Sequence, residues 1–294
     1  MNRLAHLTAT ALGLALCIVP APEALGQDIT VDVGRGPVAV NVPPSYDPDV
    51  AMPLIVGLHG YTSSGEGLNS YFGLTPLSDE KGFILVTPTG LANADGSPYW
   101  NATNACCDFE TFSTDDSGYL RDLIEAIQDE LSIDEKRVYV TGHSNGGFMS
   151  YRMACDHADL VAAIAPLAGA TWLDPAECNP SEPVSVLHMH GTADPVILYD
   201  GGATYEEGVY PGAEASVDTW AGYNGCTSSR RIAGTADYVS RARGSETQVF
   251  SHGRGCPEGG QIELWKINRA IHSPGFTDAW NDDMVDWLLA HPKP

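Results

Sequence analysis

The sequence predicts an α/β fold with a mostly parallel central sheet, doubly wound and flanked by helices. Apolar runs of strand length alternate with segments whose apolar residues recur at helical spacing, the pattern of parallel βαβ units. A Gly-x-Ser-x-Gly sequence, Gly142-His-Ser-Asn-Gly146, falls where one such run gives way to a helical segment. With 43% hydrophobic residues, the roughly 268 residues after Gly26 suffice for the core of one domain.

Residues 1–26 read as a secretory signal peptide: Arg3, an apolar stretch from Leu7 to Val19, then small residues up to Ala24-Leu-Gly26. Pro20 and Pro22 follow the stretch too closely for a membrane span. Cleavage is expected after Gly26, with Ala21 as the alternative, and Leu16 before Cys17 is too bulky for a lipoprotein signal. No repeat or Pro/Ser-rich linker divides 27–294, which is read as one catalytic domain. Pro53-Leu-Ile-Val-Gly-Leu58 and Phe83-Ile-Leu-Val86 suit buried parallel strands. Leu120, Leu123, Ile124, Ile127 and Leu131 share one helical face, with Asp115 and Asp116 available to cap its start. Strand Val138-Tyr-Val140 follows, then the helix after Ser144 and a buried segment from Val161 to Leu167. Strand Val184-Ser-Val-Leu-His188, a helix near Ala213 to Tyr223, strand Ile262 to Ile267 and a helix from Thr277 to Leu289 complete the chain.

The formal net charge of −23 and pI near 4.4 come from 38 acidic against 15 basic residues, four of them lysine. Such a surface repels nucleic acid and anionic membranes and favours a neutral partner. Seven cysteines become six without Cys17: Cys106, Cys107, Cys155, Cys178, Cys226 and Cys256. An even set in an exported chain implies three disulfides, and no paired ligand spacing suggests a metal. Cys226 and Cys256 flank one local segment and are expected to pair, leaving Cys106 and Cys107 for Cys155 and Cys178 in an open order.

In the Gly-x-Ser-x-Gly turn a strained strand-to-helix bend lifts a serine hydroxyl above the sheet edge, and Ser144 is therefore the candidate nucleophile. Acyl transfer by serine also needs a base and an acid that orients it. Asp194, in the turn His190-Gly-Thr-Ala-Asp-Pro195 after a core strand, is the candidate acid. His272, in a loop between the Ile262–Ile267 strand and the last helix, is the candidate base. His252 and His291 follow no core strand, and His143, His188 and His190 are read as structural. Backbone N–H groups of Asn145 and Tyr61 are the candidate oxyanion donors.

With these residues assembled, the chain resembles the polyhydroxybutyrate depolymerase and feruloyl esterase group of secreted α/β-hydrolases. The resemblance rests on Leu58-His-Gly60, Trp100-Asn101 with Ala105-Cys-Cys107, Asp115-Asp116, Arg137 to Gly147, Ala154-Cys155, Ala165-Pro166, His188-Met-His-Gly-Thr-Ala-Asp194, Trp220 and Gly225-Cys226. It implies an α/β-hydrolase fold stabilised by disulfides, with Ser144, Asp194 and His272 as the triad. The group surrounds its histidine with Gly-Gly-His-x-Trp-Pro, whereas this chain has Arg269-Ala-Ile-His-Ser-Pro274, so Ser273 stands in place of an aromatic. Phe276 is the candidate to fill that place, and Trp100, Trp172 and Tyr61 are candidates for a pocket wall.

The expectation is a secreted, extracellular or periplasmic, monomeric serine carboxylic ester hydrolase that needs no cofactor or metal. Its substrate would be a polyhydroxyalkanoate-type polyester or a feruloyl or acetyl ester on polysaccharide. The alternatives are a non-catalytic binding protein on the same scaffold and a broad small-ester esterase. Asn101-Ala-Thr103 is a glycosylation sequon.

Overall fold

The computed structural model describes residues 29–107, 113–204 and 208–294, so the leader segment lies outside the described residues. The chain enters through β1 (Ile29–Val31) and β2 (Val38–Asn41), an antiparallel hairpin. β3 (Met52–Leu58) is followed by α1 (Gly65–Phe72), α2 (Leu74–Lys81) and β4 (Ile84–Val86). Next come α3 (Asp116–Glu130), β5 (Ile133–His143), α4 (Asn145–Asp156), β6 (Ala163–Leu167) and β7 (Ser185–Gly191). A small ribbon, β8 (Gly201–Ala203) with β9 (Val209–Pro211), precedes α5 (Ala213–Tyr223). The chain closes with β10 (Arg231–Ala236), β11 (Thr247–Ser251), β12 (Ile262–Ile267) and α6 (Asp278–Leu289).

Ten strands form one sheet in the order β1-β2-β4-β3-β5-β6-β7-β12-β11-β10. Its centre, β4 to β12, is parallel, and the two outer pairs are antiparallel. Every residue of β6 and β7 is buried, as a parallel strand covered on both faces requires. Alternate residues feed two cores: Val56, Val140, Ile164, Val186 and Leu264 meet Leu120, Phe148 and Val217 of α3, α4 and α5. Ile55, Tyr139, Leu187 and Trp265 meet Leu68, Leu77 and Trp280 of α1, α2 and α6. Asp115 caps α3 by accepting from Gly118 N–H at 2.8 Å, and buried Asp116 pairs with Arg35. Among the described residues no helix is long and apolar enough to cross a membrane.

Two expectations need correction. Strand Val138–Val140 is the buried middle of the much longer β5, whose first five residues are charged or partly exposed and so break the apolar run. Cys106 and Cys107 bond to each other, Cys155 bonds Cys178, and Cys226 bonds Cys256 as expected. The reason is spatial: Cys155 ends α4 and lies with its Cα 5.7 Å from that of Cys178, which leaves the adjacent pair only one another. The sequon is closed as well, since Asn101 is buried and its Nδ2 donates to Thr114 O at 2.7 Å.

The Cys155–Cys178 bridge spans a sequence separation of 23 residues, so it restricts the unfolded chain. The double variant Cys155→Ser/Cys178→Ser is expected to lose about 3 kcal/mol of stability, read as a lower urea midpoint. An unchanged midpoint would show that α4 is held by packing alone.

Candidate active site

β3, β5, β6, β7 and β12 end in register: Leu58 pairs with Gly142, His143 with Leu167, Leu167 with Met189, and Gly191 with Ile267. The loops that follow therefore converge on one rim, as open α/β sheets arrange their sites.

Ser144 occupies the turn between β5 and α4 with φ 55° and ψ −117°, a left-handed conformation costly for any residue with a Cβ. Its amide donates to Leu167 O at 2.8 Å and its carbonyl accepts from Phe148 N at 3.0 Å, so the neighbouring strand and helix hold the bend. A Cβ on Gly142 would stand 2.3 Å from Gly146 O, and one on Gly146 would stand 2.0 Å from Leu58 O. Both glycines are thus demanded by close backbone approach.

Asp194 follows β7, and its side chain is fully buried. Oδ1 accepts from the amides of Val196 at 2.8 Å and Ile197 at 3.0 Å, while Oδ2 meets His272 Nδ1 at 2.8 Å. Burial alone would raise the Asp194 carboxyl, but the hydrogen bonds from His190, His272 and the Val196 amide outweigh it and hold the group well below the ordinary carboxylate range. His272 and Ser144 line one cavity.

Behind the carboxylate runs a buried chain of polar groups. Ile197 O can only accept, so His190 Nε2 donates to it at 2.8 Å and also lies 3.4 Å from Asp194 Oδ2. His190 Nδ1 then accepts from His188 Nε2 at 3.1 Å, and His188 Nδ1 accepts from the Tyr151 hydroxyl at 2.8 Å. Every link is satisfied in one direction, which fits the structural reading of both histidines. His143 Nε2 donates to His272 O at 2.9 Å and its ring lies 4.7 Å from that of His272, steadying the loop of the candidate base. Burial, with the nearby His272 second, lowers His143 to about 4.

The loop after β3 is pinned next to Ser144. His59 Nδ1 donates to Gly60 O at 2.7 Å, its Nε2 accepts from Gly90 N at 2.9 Å, and a Cβ on Gly60 would lie 3.4 Å from Ser144 Cβ. Tyr61 comes next, 38% exposed, with its hydroxyl accepting from Asn93 Nδ2 at 2.8 Å. Asn145 opens α4, so its amide stands at the free N-terminal end of the helix. Its side chain clasps Trp100, accepting from Trp100 N and donating to Trp100 O, both at 2.8 Å.

Two cavities flank Ser144 and share it with Tyr61. One, of about 370 Å³, is edged by Ser63, Tyr71, His143, His272 and Ser273. The other, of about 440 Å³, is edged by Cys106, Cys107, Val196, Ile197, Leu198 and Tyr210. Trp100 and Trp172 line neither: Trp100 is fully buried with Nε1 donating to His59 O at 3.1 Å, and Trp172 packs into the core, because both serve the layers beneath the rim. Phe276 also stands back, stacked 3.8 Å on Trp280 and 6.0 Å from Tyr71, and supports the first cavity only through Tyr71. The walls missed from sequence are Tyr71, the cysteine pair, Tyr210 and Pro195 to Leu198; an apolar run directly after the acid, with Val196 and Leu198 exposed, was the available signal.

A larger cavity of about 710 Å³ lies near β10 and β11, but its Arg230 is already paired with Glu214 and Asp218. Among the described residues, Cys226, His252 and Cys256 form the one group with metal-ligand spacing, and both sulfurs are spent on a disulfide.

Residues 47–210 match the phospholipase/carboxylesterase family. The chain belongs to that family. Feruloyl esterase B of Piromyces equi is 28% identical over 245 residues, 81% of this chain and 42% of that protein. A probable feruloyl esterase C of Aspergillus flavus is 30% identical over 225 residues, 74% of this chain and 70% of that protein. The fold is that of an acetyl xylan esterase from Aspergillus awamori, with TM-score 0.63 and 16% identity over 90% of this chain and 99% of the other. The chain spans less than half the length of the first curated relatives it matches. The match to the phospholipase/carboxylesterase family takes in Ser144 and Asp194, and His272 lies beyond it.

Gly146→Ala is expected to displace Ser144 and lower kcat/KM for ester hydrolysis on the order of 100-fold, provided circular dichroism shows a folded chain. A near-wild-type rate would mean the turn tolerates a methyl group. His143 takes up a proton near 6.5 when unfolded but only at about 4 when folded. Between those values the unfolded state binds more protons, so stability falls as pH drops from 6.5 towards 4. His143→Gln, which keeps a donor for His272 O, is expected to flatten that fall in urea midpoints, and an identical slope would count against it.

Proposed function

We propose that the chain is a carboxylic ester hydrolase working through an acyl-enzyme on Ser144. The observation that carries this reading is the strained Ser144 sharing a cavity with His272, whose Nδ1 is held 2.8 Å from Asp194. In the reaction, Ser144 Oγ attacks the ester carbonyl while His272 Nε2 takes its proton. The amides of Asn145 and Tyr61 receive the oxyanion. His272 then protonates the departing alcohol; water, deprotonated by His272, attacks the acyl carbon, and His272 returns that proton to Ser144 Oγ as the acid leaves.

This chemistry orients the substrate. The group that protonates the leaving oxygen must stand on the alcohol side, and His272 borders the cavity with Ser63 and Ser273. The alcohol therefore leaves through that cavity, the less apolar of the two, and the acyl group lies in the strongly apolar one beyond Ser144. A sugar hydroxyl fits the first and a feruloyl or other apolar acyl group the second. Together with the names carried by its relatives, this favours feruloyl or acetyl esters of polysaccharide over a polyhydroxyalkanoate. The net charge of −23 favours neutral chains. Three disulfides and the leader-like 1–26 segment support export.

The test is hydrolysis of p-nitrophenyl butyrate, methyl ferulate and amorphous polyhydroxybutyrate by wild type and Ser144→Ala. Wild type is expected to favour methyl ferulate over the polyester, and the variant to lose at least about 10⁴-fold in kcat. Retained activity in Ser144→Ala would remove Ser144 from its role. Absence of turnover by wild type would favour a binding protein on this scaffold.

A further inference from the structure

The Cys106–Cys107 bond invites a question that the other two disulfides do not. It joins neighbours and closes no loop of chain, so the restriction of the unfolded state that makes bridges stabilising is absent. The turn that bears it is already held by its backbone: Ala102 and Thr103 amides donate to Cys106 O at 2.9 and 2.8 Å, and the Cys106 amide donates to Thr103 O at 3.0 Å. Both cysteines are nevertheless set into the wall of the apolar cavity beside Ser144.

Their position is tied both to the nucleophile turn and to the segment after β8. Asn145 Nδ2, besides holding Trp100 O, reaches Cys106 Sγ at 3.4 Å. From the opposite side, Thr204 Oγ1 of the segment after β8 donates to Ala105 O at 2.8 Å. The sulfurs thus keep a set distance from the helix end whose amide faces the reacting carbonyl.

We propose that the Cys106–Cys107 disulfide is a substrate-binding element, the surface on which the acyl part of the ester rests, and that it selects long or aromatic acyl groups over acetyl. The proposal rests on the acyl assignment made above. Adjacent side chains of an extended backbone point apart, whereas the bond brings the two sulfurs together, and both residues line the cavity. Two bonded sulfurs carry no S–H donor and present a polarizable, apolar face, suited to the edge of an aromatic ring or to methylene groups. With Val196 and Leu198 across the cavity, each additional methylene buried there is worth about fourfold in binding. Acetyl gains little from that wall, so the ratio of long to short acyl activity reads the contact directly.

The experiment compares kcat/KM for p-nitrophenyl acetate, p-nitrophenyl butyrate and methyl ferulate in wild type and in Cys106→Ala/Cys107→Ala. The butyrate-to-acetate and ferulate-to-acetate ratios are expected to fall at least tenfold in the variant, mainly through KM. They are expected to hold in Cys226→Ser/Cys256→Ser, a bridge remote from the cavity. If the alanine pair does not fold, wild type is treated with a dithiol, whose own S–S bond forms as the protein's breaks, two electrons and two protons passing to the cysteines. Alkylation and mass spectrometry identify the opened bridge, and the ratios are then expected to fall and to recover on reoxidation. Ratios unchanged within twofold in a folded variant, or with Cys106 and Cys107 shown to be free thiols, overturn the proposal alone. Failure of wild type to hydrolyse any of the three esters overturns the esterase reading and this proposal with it.

Discussion

The backbone of three elements meets at one point beneath Ser144. β3, β5 and α4 approach so closely that Gly142 and Gly146 have carbonyl oxygens where a Cβ would be. That proximity forces the left-handed bend at Ser144 and presents its side chain on the rim rather than in a core. It also sets how the loops must run: the segment after β3 passes against Ser144 at Gly60, and Trp100 has to lie under both, buried between His59 and Asn145. Strain at the serine is sustained because the strands beside it are held in the core, β6 and β7 along their whole length.

The carboxylate is organised by a different principle. A group nearly removed from water would ordinarily favour its neutral form, and Asp194 remains charged because two amides, His272 and His190 converge on it. The histidines behind it act as a directed line of donors anchored on Tyr151 of α4, the helix that begins at the nucleophile. Acid and serine therefore share one supporting helix. A shift of α4 would disturb both together.

Most of the fold was legible in the sequence because it depends on local periodicity. Buried strands such as Met52–Leu58 carry uninterrupted apolar runs, and the face of α3 repeats at helical spacing. The outer strands β10 and β11 were not, since β10 is largely exposed, β11 is half-buried, and neither carries an apolar run. The order Ser144, Asp194, His272 was readable because each follows a core strand, and the structure brings all three to one rim. Trp100 and Trp172 misled for a physical reason: nothing in an aromatic residue's identity tells whether it faces the rim or the layer below. The bonding of Cys106 with Cys107 was likewise invisible, because it depends on where α4 ends relative to Cys178.

The walls of the two cavities have a different origin from Ser144, Asp194 and His272. Ser144, Asp194 and His272 sit at or just beyond strand ends fixed by the sheet, whereas the wall of the apolar cavity is assembled from connections: the turn at 100–107, the stretch after Asp194 and the ribbon of β8 and β9. Those segments are connections rather than strands of the central sheet, rooted in one core by Trp100, Ala102, Ile197 and Tyr210. A substitution in one of those connections can therefore remodel the apolar cavity while the sheet keeps Ser144, Asp194 and His272 where they stand.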